Sequence, residues 1–171
     1  WEEHPLVRAA LPIADALDGR HAVVLHSLST SGAAQRLAAQ INENAKQASF
    51  AVTAPEALHN CVEGLASVDP QDWTLVFMSD EDDPPSLRAA LNTTMGYFSN
   101  LEFNCIPFPA AGDNRHERTL SRLLLSDLVS LFLAAVRGVD PTPLETISDL
   151  KSNQPRVAVE VTGSAAESGE S

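Results

Sequence analysis

Short apolar runs alternate along this chain with longer stretches whose apolar positions recur at helical spacing. His21-Ala-Val-Val-Leu-His26 is unbroken by charge, as expected of a strand buried on both faces. Ala48–Thr53, Trp73–Met78 and Leu101–Pro107 read as three further strands. Between them, Leu37 and Ile41 mark a helix over about 33–45, and Pro55 suits the first turn of another, to about Ala66. The proline pair after the third strand opens a helix reaching roughly Tyr97. Arg115–Arg137 reads as a long helix with its apolar stripe at Leu120, Leu124, Leu128, Leu131 and Ala135, capped by Gly138. Asp140-Pro-Thr-Pro143 leads into a short last helix ending near Lys151.

This alternation predicts an α/β fold, a three-layer sandwich around a mainly parallel sheet with right-handed crossovers. The domain occupies 21–155. Residues 1–20 read as a helical connector, broken at Pro12, arriving from a preceding domain. In 156–171, Val157–Val161 alternates like an edge strand, and a small, polar, acidic tail follows that reads as disordered.

Composition narrows the partners. Hydrophobic residues make up 44% of the 171, enough for a sizeable core, while 11 Lys and Arg face 23 Asp and Glu, a net charge of -12. A polyanion of this kind repels nucleic acid and anionic membrane, so neither is expected as a partner. The longest apolar run, Leu123–Val136, carries Asp127 and is too short to cross a bilayer. No signal peptide is visible, and Cys61 and Cys105 lack metal-ligand or CxxC spacing. The chain is expected to be soluble and cytoplasmic, with no metal and no cofactor. Trp1 in place of Met suits a processed chain, a fragment or a renumbered one.

The candidate chemistry is sparse. Asn42-Glu43-Asn44 ends a helix, where the negative end of the dipole disfavours a carboxylate and so suits a general base. An ordinary exposed helix end has the same sequence. His59 falls in the first half of the next helix, either as a catalytic acid/base or as a structural histidine. Ser27, Ser29 and their neighbours lie where open α/β sheets bind ligands and where a helix N-terminus offers N–H donors to phosphate, or they are simply a capped turn. Lys151 ends a helix, as surface lysines often do. Asp80–Asp83 reads as a solvated acidic loop without cation-site spacing.

Gln40-Ile-Asn-Glu-Asn-Ala-Lys46, Pro55-Glu-Ala-Leu-His-Asn60, Asp127–Pro143 and Lys151, in order and spacing, resemble the bifunctional phosphoglucose/phosphomannose isomerases. The likeness is to their C-terminal sugar isomerase (SIS) domain, over roughly residues 21–152, and implies a flavodoxin-like parallel sheet flanked by helices. It implies aldose–ketose isomerisation of a hexose 6-phosphate through a cis-enediol, in a homodimer. Glu43 then matches the carboxylate that moves the proton between C1 and C2. His59 matches the ring-opening histidine donated by the neighbouring subunit, and Lys151 a lysine reaching the sugar ring. Thr142 is set against the threonine that leaves room for either C2 epimer, and Asn42, Asn44, Ser27 and Ser29 are further candidate substrate contacts. The sequence departs from the family pattern at Leu58 and Cys61, beside the histidine, and Asp113–His116 looks like an insertion. The phosphate loop and catalytic arginine belong to the family's N-terminal SIS domain, so this chain alone is expected to be inactive. A non-catalytic phosphosugar-binding or dimerisation module is the alternative.

Overall fold

The computed structural model describes residues 3–154; the expected edge strand at 157–161 lies outside them. Strands β1 (His21–His26), β2 (Ser49–Thr53), β3 (Trp73–Met78) and β4 (Asn104–Pro107) form one parallel sheet in the order β2-β1-β3-β4. Helices α1 (Pro5–Leu17), α2 (Ser31–Ala45) and α5 (Arg115–Val136) cover one face, and α3 (Cys61–Leu65) and α4 (Pro85–Asn100) the other. Strand alternation sorts the two cores. Ala22, Val24, Val76 and Met78 meet α1, α2 and α5, while Val23, Leu25, Leu75 and Phe77 meet Leu65, Leu91 and Phe98. The predicted three-layer α/β architecture is the observed one.

Five local expectations are corrected. Pro12 does not break α1, because Pro12 and Arg8, whose carbonyl loses its partner, both face solvent. Residues expected to form a connector thus supply Ala10, Ile13, Ala14 and Leu17 to the core. The helix expected from Pro55 to Ala66 is two pieces, a 3-10 turn at Glu56–Leu58 and then α3, because the Asn60 side chain caps Cys61 and restarts the helix. The fourth strand begins at Asn104 rather than Leu101, after a turn that puts Glu102 at φ 66°.

The fourth correction concerns α5. Leu120, Leu124 and Leu131 are 65%, 48% and 45% exposed, while Arg118, Arg122, Ser126, Ser130 and Ala134 are buried. Small residues on that face let α5 lie close to α1 and α2, and the arginines reach a partner that cannot be read locally. This partner is Asp80, at the carboxyl end of β3 and only 3% exposed. Arg118 Nη2 and Arg122 Nη1 both donate to its carboxylate at 2.7 Å. Arg122 Nη2 also donates to the Ser79 carbonyl. The acidic loop is therefore solvated only at Glu81 and Asp82: Asp83 is buried too and accepts from Asp80 N and Ser29 Oγ at 2.6 Å. By length and composition α5 is apolar enough to cross a bilayer, but with two ion-paired arginines on its packed face it is the core helix of this domain.

The Arg118 guanidinium, with that of Arg122, holds the Asp80 carboxyl well below the usual carboxylate range despite the opposing effect of burial. A depressed native pKa gives stability that is complete above the unfolded value of about 4 and is lost as pH falls below it. We expect Asp80→Asn to cost about 3–5 kcal/mol in urea denaturation near neutral pH, because it strands two buried guanidinium groups. The gap from wild type should narrow below about pH 4. A gap that is small, or that widens in acid, would contradict the pairing.

Candidate active site

The end of α2 is held from both sides. Asn42 Nδ2 donates to the Ala38 and Ser49 carbonyls at 2.9 and 2.8 Å, and its Oδ1 accepts from Ser49 N. Asn44 Nδ2 donates to Gln40 Oε1 and, across to α5, to Ser130 Oγ at 2.8 Å. Residues two apart on a helix project about 200° apart, so one asparagine ties α2 to β2 and the other ties it to α5. That fixes the rotation of the helix and leaves Glu43 between them, facing out. Lys46, in the left-handed conformation at φ 52°, turns its Nζ back to the Glu43 carbonyl and caps the helix end. Among the described residues the Glu43 carboxylate has neither an ion pair nor a hydrogen bond.

Glu43 lines a cavity of about 540 Å³ with Asn42, Lys46, Asp140 and the start of α6 (Glu145–Asn153). The chain reaches this wall through the end of α5. Gly138, at φ 64°, lets Val139 N bond back to the Ala134 carbonyl and Gly138 N to that of Ala135. Asp140 accepts from Thr142 N at 2.9 Å. That bond, with the Thr142 hydroxyl and the charge of Lys46, lowers its carboxyl below the ordinary range. Thr142 is exposed and sits beside Pro143, a wall residue. Lys151 follows the wall residue Ile147 by four positions, one turn along the same face of α6, and is exposed.

His59 lies elsewhere. Glu43 follows Asn42, which bonds Ser49 at the amino end of β2, in the layer with α1 and α5. His59 follows the carboxyl end of β2, in the layer with α3 and α4. Five strand residues alone separate those ends by roughly 15 Å. His59 is exposed in the turn between the 3-10 segment and α3, while the adjacent Leu58 packs into the second core and so holds the turn. Cys61, also half-buried, has its thiol pushed up by burial.

Ser27 and Ser29 sit at the same carboxyl edge, between β1 and α2, where the strand order reverses. Their hydroxyls face inward. Ser27 Oγ is fully buried against Ser29 and Thr30, and Ser29 Oγ bonds Asp83. The structure therefore gathers Glu43, Asn42 and the α6 face carrying Lys151 at one edge, with Thr142 in the segment leading to that face. It places His59, Ser27 and Ser29 at the other.

The arrangement of layers, and an acidic side chain left free at the end of α2, can be compared with known proteins. Residues 7–153 match the family model described as the bacterial phospho-glucose isomerase C-terminal SIS domain. The chain belongs to this family. A bifunctional phosphoglucose/phosphomannose isomerase of Aquifex aeolicus is 31% identical over 140 residues, covering 81% of this chain and 44% of the relative. One of Caldicellulosiruptor bescii is 28% identical over 123 residues, covering 70% and 36%. The chain thus spans less than half the length of these curated relatives. In fold, the SIS domain is similar to a glucose-6-phosphate isomerase like protein from Thermus thermophilus (TM-score 0.60, 18% identity, 88% of this chain and 48% of that one). An E. coli protein solved in complex with A5P has the same TM-score at 17% identity, over 88% and 86%.

Sequence reasoning missed the stapling role of the asparagines, although two amides so near a helix end were the visible signal. Asn42→Ala leaves Ser49 backbone groups short of partners and should cost about 1–3 kcal/mol. Glu43→Ala, at an exposed and unpaired position, should stay within about 0.5 kcal/mol in the same denaturation series. Equal losses would mean that Glu43 is itself structural.

Proposed function

We propose that this SIS domain supplies the base of an aldose–ketose isomerase acting on glucose or mannose 6-phosphate and forming fructose 6-phosphate. The observation that carries the reading is the Glu43 carboxylate, without an ion pair or hydrogen bond among the described residues, in the wall of a cavity that the start of α6 lines. Membership of the phosphoglucose isomerase C-terminal family and the names of the curated relatives support the substrate class.

In the opened sugar, Glu43 takes the C2 proton of the aldose. Electrons move toward the C1 carbonyl and a cis-enediol forms. Return of the proton to C1, with the O2 proton passing to O1, gives the ketose, so the reaction is redox-neutral. The base must be free of a competing cation and fixed in direction, and the asparagine staples supply that fixation. Lys151, one turn along α6 from the wall residue Ile147, serves the ring oxygen in this reading.

His59 cannot serve the same sugar as Glu43 of its own chain if the two lie at opposite edges and on opposite faces. In this reading a second copy donates its His59, so the enzyme is a symmetric dimer with two composite sites. The phosphate anchor and the charge-stabilising arginine come from the remaining length typical of the relatives. A non-catalytic reading, a phosphosugar-binding or dimerising module, is favoured by one observation: the Ser27 and Ser29 hydroxyls are spent on internal bonds.

The test is Glu43→Gln in the full-length protein, assayed on both hexose phosphates. Loss of a general base should lower kcat about 10²–10⁴-fold with little change in KM, because the amide keeps the shape and phosphate affinity resides elsewhere. Undiminished turnover would remove Glu43 from the chemistry and favour the non-catalytic module.

A further inference from the structure

A second cavity, of about 310 Å³, opens at the carboxyl edge of β3 and β4, at the other end of the sheet from Glu43. Its walls include Arg88 and Asn92 from α4, Phe108 after β4, and Arg118 and Arg122 from α5. Arg88 and Asn92 are four residues apart and so share one face of α4. Two acids also line it: Asp80, paired with Arg118 and Arg122, and Glu81, which is mostly exposed and 3.7 Å from Arg118; Asp82 pairs with Arg118 as well. Arg88 has no ion pair and no side-chain hydrogen bond among the described residues, and its Nε is buried without a partner. Arg122, with only 5% of its side chain exposed, uses both Nη atoms on Asp80 and the Ser79 carbonyl. Its Nε is likewise buried and unpartnered.

Buried donors without acceptors are rare in folded proteins, and two arginines that line one small cavity each carry one, which a common acceptor would satisfy. Both donors belong to guanidinium groups, for which an anion is the strongest acceptor. They arrive from helices on opposite faces of the sheet, which a tetrahedral oxyanion accommodates better than a flat carboxylate, whose two oxygens lie in one plane. Asn92 adds an amide, and the Phe108 ring an apolar wall. We infer that this cavity is a second anion site, taking the phosphate group of a small phosphorylated ligand between Arg88 and Arg122. The site is built from α4, α5 and the sheet edge, and it uses neither Glu43 nor the α6 wall. It stands whether or not the domain is catalytic.

Inorganic phosphate is the probe, with bound phosphate per chain counted by equilibrium dialysis on the full-length protein. Arg88→Gln should remove one phosphate per chain, or weaken that class of site at least about tenfold, while leaving isomerase turnover unchanged. Arg88→Lys keeps the charge but not the fork and should recover only part of the affinity. Arg8→Gln makes the same charge change on the exposed face of α1 and should leave the count as it was. Retention of the full count by Arg88→Gln would overturn the assignment. So would an equal loss in Arg8→Gln, which would reduce the effect to net charge, or tighter binding of malonate than of phosphate, which would make the cavity a carboxylate site. Should Arg88→Gln fail to fold, the Arg88→Lys count decides, since a lysine that binds as wild type contradicts the forked contact.

Discussion

Two arginines one turn apart on α5 converge on a single buried carboxylate at the end of β3, and the placement of the rest of the domain follows from that cluster. A carboxylate this deep is tolerable only when paired and hydrogen-bonded. Its partners come from a helix some forty residues further along the chain. The pairing fixes both the height and the rotation of α5 against the sheet. The loop after β3 is drawn inward as a consequence, so Asp83 can meet Ser29 and close the turn after β1.

From that fixed helix the structure builds toward Glu43. Arg36 makes a two-pronged pair with Asp127 at 2.7 and 2.9 Å, and Ser130 receives Asn44. Arg137, at the far end, donates to the Ala45 carbonyl and to Gln47. Rotating α5 would break all of these contacts with α2 and swing Glu43 off its cavity. The exposed pair alone contributes little in water. Its value is in register, because the contacts agree on one orientation of α2.

Strands and layers were legible in the sequence because apolar runs and turn residues act locally. The side chains that depend on distant partners were not. Counting leucines put the buried stripe of α5 on the wrong face, since Arg118 and Arg122 are buried only by virtue of Asp80, and Ser126 and Ser130 pack because they are small. The same blindness made Asp80–Asp83 read as a surface loop. In the site, the position of Glu43 at the end of α2 was readable, and so was the lead-in to α6. That His59 lies at the opposite edge of the sheet was not, since it depends on which way β2 runs relative to α2. The break at Asn60 also escaped notice, because a capping side chain restarts a helix without changing its apolar pattern.

In the proposed reading Glu43 and His59 serve one reaction but not one chain's site, and the catalytic unit is assembled between two copies. Mixing inactive Glu43→Gln and His59→Ala full-length proteins under conditions that exchange subunits tests it most directly. Half the dimers would then be mixed, each with one intact and one doubly damaged site, and activity should return to about one quarter of wild type. A mixture as inactive as its two components, with subunit exchange verified, would contradict the composite site.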